Sequence, residues 1–391
     1  MPHLPCRSLK VLITNITLAT RTGTEVYVRD LALGLLRRGH KPIVYSTHLG
    51  GIARELRAKT VPVLEDLTQV SATPDIIHGH HLPETMMALL QFPGVPGIFF
   101  CHDWSAWHDV PPRFPRILRY VAVDDTCLDR LILEHGVAQE KARVILNFVD
   151  LERFKPRGPL PERPKRALVF SNQASERTHL SATRQACSQA SITLDIIGAS
   201  TGTSVTHPEE VLGHYDLVFA KGKSALEALS VGAAVILCDA AGAGPMVTTA
   251  ELERLRRLNF GIRALQKPVR ADVLAEEISR YNAEDSQEVS RKIRASAGLE
   301  TALDELIALY DEVTEEYKST GPIDPEAEER AAASYIHQLA VKNQRLQSEN
   351  RQLRSELETV YDSPTLRLRN RLVNIPIMGS LMRSLARLAA R

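Results

Sequence analysis

At 391 residues the chain is long enough for two domains and an appendage, since domains usually run to about 100 to 200 residues. Its 44% hydrophobic content and formal net charge of +1 fit a globular protein and give no electrostatic case for a nucleic-acid partner. No apolar run approaches the roughly 18 residues that cross a bilayer and the N-terminus lacks a signal-peptide core, so a cytoplasmic location is expected.

Leu9 to Ile13 reads as the first strand of a parallel sheet, with a loop from Asn15 to Gly23 behind it. Thr22-Gly23-Thr24-Glu25 opens an amphipathic helix with Val28, Leu31, Leu35 and Leu36 at core-facing spacing, closed by Gly39. Gly23 has two readings: a position where backbone can approach a ligand closely, or a turn beside a Thr22-x-x-Glu25 capping box. Pro42 to Ser46 is the next strand. Asp75 to His81 is rich in imidazoles, yet a strand sends alternate residues to opposite faces. No cysteine or acidic cluster accompanies these histidines, so no metal site is expected. Gly97 to Cys101 delivers His102-Asp103 to its carboxyl end, where an α/β sheet places working residues. His102 is the candidate catalytic residue; the alternative is an imidazole that only satisfies a local carbonyl. Tyr120 to Val123 gives one more strand and Thr126 to Glu134 a helix. Ala142 to Phe154 reads as a hinge in which Asn147 and Asp150 bond local backbone.

Pro156 to Pro164 is a stiff, proline-rich connector that marks a domain boundary. Strands follow at Ala167 to Phe170 and Ile192 to Gly198, then a short helix from Pro208 to His214. Asp216 to Gly244 then reads as strand (Leu217 to Ala220), glycine loop (Lys221-Gly222-Lys223), helix with Ser224 at its N-cap and Gly232 at its end, strand (Val235 to Cys238) and a second glycine loop. A helix N-terminus at the carboxyl end of a parallel strand offers free N–H groups and positive dipole to a phosphate. Ser224-x-x-Glu227 reads equally as a capping box. Helices are expected over Thr249 to Leu258, Ala271 to Tyr281 and Ser286 to about Lys318. The alternation implies an α/β protein of two Rossmann-like domains facing across a cleft, residues 1–155 and 156–320. Cys6, Cys101, Cys127, Cys187 and Cys238 are odd in number and unpaired in spacing, which suits reduced thiols.

From Gly321 the character changes. Ile336, Leu339, Asn343, Leu346, Asn350, Leu353, Leu357 and Val360 alternate three and four apart, a heptad seam with asparagine at two a positions. Residues 321–363 are therefore expected to form a linker and coiled coil that makes a homodimer through 336–360; a lone helix packing back on the body is the alternative. Residues 364–391 hold Arg367, Arg369, Arg371, Arg383, Arg387 and Arg391 and no acidic residue. Such a basic amphipathic tail fits an anionic membrane surface or a partner groove.

Three phrases carry a resemblance. Leu226 to Ile236 (LEALSVGAAVI), Asp75 to His80 (DIIHGH) and Ala142 to Phe154 (ARVILNFVDLERF) resemble the motifs LEAMACGxPVI, DVVHAH and VxVIPNGVDLERF of the retaining family 4 glycosyltransferases of the GT-B fold. The likeness covers about residues 9 to 318. It implies transfer from a nucleotide-diphosphate sugar to a glycan, lipid-linked or protein acceptor, with retention and without a metal or cofactor. Glu227 would hold the donor ribose, Ser224 and Ala225 would present backbone N–H groups to the diphosphate beside the loop glycine Gly222, and Lys221 or Lys223 would neutralise it. Gly23 and His102 would approach from the other domain, and Arg177 is the nearest basic residue after the 171–172 loop. One departure stands out. The family's second glutamate, eight residues before Glu227, is Phe219 here, which leaves a dimeric scaffold without catalysis as the competing reading.

Overall fold

The computed structural model describes residues 8–321 and 324–361, with Ser363 and Leu366. The chain divides into two compact units, residues 1–323 and 324–391. The expected tail of 364–391 lies outside the described residues apart from Leu366.

Apolar runs of four to six residues become the buried strands of two sheets, as continuous hydrophobicity requires where helices cover both faces. The first sheet has β1 (Lys10–Thr14), β2 (Lys41–Tyr45), β3 (Val63–Leu64), β4 (Ile76–His80), β5 (Gly97–Cys101), β6 (Ile117–Ala122) and β7 (Ala142–Val144). All are parallel, in the order β3-β2-β1-β4-β5-β6-β7. The second has β8 (Arg166–Phe170), β9 (Thr193–Ile197), β10 (Leu217–Ala220), β11 (Ala234–Asp239) and β12 (Gly242–Met246), in the order β12-β11-β10-β8-β9 with only β12 antiparallel. In both sheets the strand order reverses beside the first strand, which opens a crevice at the carboxyl ends.

The helices are α1 (Gly23–Arg37), α2 (Gly51–Ala58), α3 (Leu82–Gln91), α4 (Asp125–Asp129), α5 (Leu180–Gln189), α6 (Pro208–Val211), α7 (Gly222–Val231), α8 (Leu252–Arg257), α9 (Ala271–Ser279), α10 (Ala283–Ser296), α11 (Leu299–Thr320) and α12 (Pro325–Tyr361). The single helix expected from Ser286 to Lys318 is two, α10 and α11. The hinge passes through the break: Val149 N–H donates to the Ala297 carbonyl and Leu299 N–H to the Val149 carbonyl, both at 2.9 Å. The expected second glycine loop is instead β12, whose Ala243 exchanges two backbone bonds of 2.9 Å with Lys267. Past that break α11 packs on the first domain, with Tyr310 Oη 2.6 Å from His78 Nδ1 and Arg119 Nη2 2.7 Å from Glu312. Cys101, Cys127, Cys187 and Cys238 are buried free thiols.

In the second unit, Asp324 Oδ1 accepts the Glu326 N–H at 3.0 Å and caps α12, which starts at Pro325. The seam residues Ile336, Leu339, Leu346, Leu353, Leu357 and Val360 are all exposed. No described helix is long and apolar enough to cross a membrane.

Candidate functional site

The carboxyl ends of the two sheets bound two adjoining cavities of about 590 and 240 Å³, which share Gly23 and Lys223 on their walls. On the first-domain side, the loop before α1 is pinned by a buried carboxylate. Glu25 accepts the N–H groups of Thr20 at 2.8 Å and Thr22 at 2.7 Å and the Thr20 hydroxyl at 2.7 Å. The capping box is thus formed, and it leaves Gly23 facing open space, where a Cβ would meet nothing within 4 Å.

On the second-domain side, α7 begins three residues earlier than the Ser224 cap would require. Lys221 is the N-cap and Gly222 the first helical residue, at φ +60° with its N–H bonded to the Phe260 carbonyl at 2.9 Å. That long-range bond and a left-handed glycine fix the start, which overrides serine's preference for the cap. Ser224 is consequently the third helical residue and lines the larger cavity, while Ala225 is fully buried in the core and lines neither cavity. The Ser224–Glu227 capping box does not exist.

Freed from that cap, Glu227 sits on the wall of the larger cavity at 7% exposure. Among the described residues its carboxylate accepts no hydrogen bond. Burial pushes it up to about 7; Lys223 and Arg29 pull against that rise while Asp30 and Glu209 add to it. A buried acid without a partner, on a cavity wall, is the kind of perturbed group that marks working sites.

Lys221 and Lys223 differ in their surroundings. Lys221 Nζ lies 2.6 Å from Asp239, which also accepts the Ser171 hydroxyl at 3.1 Å, so its charge is already compensated. Lys223 Nζ lies 3.6 Å from Asp30 and 5.4 Å from the centre of the Phe148 ring, at the junction of the two cavities. Asp30 is the hub of a buried charge network that joins the domains: it takes Arg29 Nε at 2.9 Å and Arg153 Nη1 at 3.3 Å, while Arg153 Nη2 reaches Glu209 at 2.8 Å. Arg29 and Arg153 both line the larger cavity. The sequence reading missed this set. No local pattern marks Arg29 or Asp30, because charged residues inside an amphipathic helix read as its solvent face. Arg177 is exposed and lines neither cavity.

His102 lines the smaller cavity with Asp103, Trp104, Asn147 and Asn259. Its Nε2 lies 2.7 Å from Nδ1 of the buried His80, and both rings pack against Tyr27. Burial, with the Lys223 ammonium nearby, lowers His102 to about 3, Asp103 acting in the opposite sense. The imidazole is neutral across the physiological range, which suits a hydrogen-bonding contact rather than a cationic one.

His81, His108 and Asp109 bring ligand-type atoms within 4.8 Å of one another. His81 Nδ1, however, accepts the Ile16 N–H at 3.1 Å, so in the neutral ring the proton sits on Nε2. The nitrogen left for the cluster is a donor, and a metal needs a lone pair there. Phe219 is fully buried on the far face of the second sheet, among Leu180, Cys187 and Leu274, and lines neither cavity.

Residues 21–153 match the model of Glycosyltransferase Family 4. No curated protein matches the chain in sequence. In structure it is similar to a glycosyltransferase from Rickettsia africae ESF-5, at 15% identity over 78% of this chain and 99% of that one, with a TM-score of 0.57. It is likewise similar to HepE of Anabaena in complex with UDP and glucose, at 13% identity over 78% of this chain and 100% of that one, TM-score 0.56. The architecture is GT-B. The family 4 match is confined to residues 21–153, in the first domain.

Proposed function

We propose that the chain transfers a sugar from a nucleotide-diphosphate sugar to a glycan, lipid-linked or protein acceptor, retaining configuration and using no metal. The observation that carries this is Glu227, buried and without a hydrogen-bond partner on the wall of a cavity of about 590 Å³. Vicinal ribose hydroxyls are the donors such a carboxylate lacks. One turn away, the N-terminus of α7 and the Lys223 ammonium supply positive potential where a diphosphate would lie. His102 and Gly23 approach from the first domain. The UDP and glucose bound by HepE agree with a nucleotide-sugar donor. The chain works in the cytoplasm as a dimer through residues 336–360, with its basic tail on the inner face of a membrane.

Thermal stability against a panel of nucleoside diphosphates and their sugars tests the donor site, because a ligand that binds only the native state raises the midpoint. A rise with one nucleotide that vanishes in Glu227→Ala is the expected result. No rise with any of them refutes the donor site and favours a dimeric scaffold without catalysis, the reading to which the buried Phe219 points.

A further inference from the structure

The α12 helix carries an exposed apolar stripe, and the residues interrupting it say how a second copy must lie. This deepens the dimer stated above and rests on it. In heptad terms Ile336, Asn343, Asn350 and Leu357 occupy a, and Leu339, Leu346, Leu353 and Val360 occupy d. None of the eight is buried within its own chain: Ile336 is 61% exposed and Leu353 62%.

We propose that α12 pairs with α12 of a second copy as a parallel, in-register coiled coil. In an antiparallel pair each a residue faces a d residue, so all four asparagines of the dimer would be buried against leucine or valine with no polar partner. In a parallel pair a faces a. In register, Asn343 meets Asn343 and Asn350 meets Asn350, so each amide has a complementary amide. A stagger of one heptad pairs Asn343 of one copy with Asn350 of the other and sets the remaining two against Ile336 and Leu357. Only the unshifted parallel arrangement satisfies every asparagine, and unpaired polar groups are what burial penalises most.

The flanking charges agree. Positions g and the following e meet across a parallel pair, which brings Glu349 to Arg354 of the second copy twice by symmetry. Within one chain Glu349 also holds Arg345 at 2.8 Å, so the acid would sit between two guanidinium groups. Asparagine at a together with leucine at d selects two strands over three or four. The Pro325 ends of both helices thus lie at one end of the coil and the Tyr361 ends at the other.

Light scattering on the full chain and disulfide capture read the two levels separately. Ile336→Cys and Val360→Cys are made singly in a Cys6→Ser background. The expected result is a dimeric mass with each variant cross-linking to itself under a glutathione buffer, and dissociation by Leu346→Glu without change in the melting of the 8–321 body. Cross-linking only when the two cysteine variants are mixed shows an antiparallel pair and overturns the inference while keeping the dimer. A dimer that survives Leu346→Glu and cross-links with neither cysteine places the interface elsewhere and also overturns it. A monomeric mass overturns both.

Discussion

Replacing Glu227 by glutamine should stabilise the protein while weakening the site, and pH separates the two effects. The carboxyl lies at about 7 instead of 4.5, chiefly because it is buried. An acid raised on folding costs nothing below its unfolded value, costs progressively more between about 4.5 and 7, and costs the full amount above that. The span corresponds to about 3 kcal/mol for ionised Glu227 in the empty cavity. Glutamine keeps the shape and removes the charge, so Glu227→Gln should match the parent at pH 4 and exceed it by about 2 to 3 kcal/mol at pH 8. In a melting experiment that is a rise of roughly 5 °C or more. A nucleotide that donates hydroxyls to the ionised carboxylate reverses the balance, so its affinity for the parent should fall as pH drops below about 7, by up to about tenfold per pH unit. The glutamine variant retains whatever pH dependence the phosphates contribute and supplies the baseline. Urea midpoints at pH 4, 6 and 8 with and without nucleotide test both limbs. Equal stability of parent and variant at pH 8 would refute the reasoning, because it would mean that the carboxylate is already satisfied.

Other expectations follow from single contacts. Asp30→Asn removes the shared partner of Arg29, Arg153 and Lys223 and leaves Arg29 buried at 1% exposure; a loss of about 3 kcal/mol in urea unfolding is expected. Gly198→Ala would place a Cβ 1.9 Å from the Ser171 carbonyl oxygen, so the 171–172 wall of the larger cavity must move. The variant should lose about 2 kcal/mol and most of its nucleotide-induced rise in melting temperature. His80 Nε2 is buried with no partner, which a bare lone pair tolerates better than an N–H. His80 therefore donates from Nδ1 to His102, and nitrogen NMR should find the His102 proton on Nδ1, with no titration between pH 5 and 9.

Strands were legible because a parallel sheet covered on both faces writes itself as short apolar runs, and Leu9 to Ile13, Gly97 to Cys101 and Val235 to Cys238 each fall within one residue of a strand. Helix ends were less so. The α7 start depends on the Phe260 carbonyl, 38 positions away in sequence, and the α10–α11 break on the hinge at Val149; neither partner is visible from local propensity. Gly23, Gly222, Ser224 and Glu227 line the cavities, but the helix-start pattern puts Ser224 at a cap that Lys221 occupies, and Glu227 is singled out by the resemblance of LEALSVGAAVI rather than by local propensity. The Arg29–Asp30–Arg153–Lys223 network was not legible, because charged residues inside an amphipathic helix read as its solvent face until a second domain closes over them.

Phe219 bears on how a donor sugar could be held. Alternate residues of β10 face opposite sides of the sheet: Val218 and Ala220 join the core beneath α7, Leu217 and Phe219 the core beneath α5 and α9. With Lys221 already capping α7, no residue before it can reach the cleft from this strand. Polar contacts to the sugar must then come from the smaller cavity. Asn259 is the group there with unused capacity: it is 6% exposed, held at φ +50°, and its Oδ1 has no partner. A sugar hydroxyl would satisfy it. Asn259→Gly keeps the backbone conformation and removes the acceptor, so it should weaken a nucleotide sugar by about tenfold, worth about 1.4 kcal/mol, while leaving the free nucleotide's affinity unchanged. Titration calorimetry with both ligands decides it. Equal losses for nucleotide and nucleotide sugar would mean that Asn259 supports the loop under Gly222 instead, and the sugar would have to be sought outside the smaller cavity.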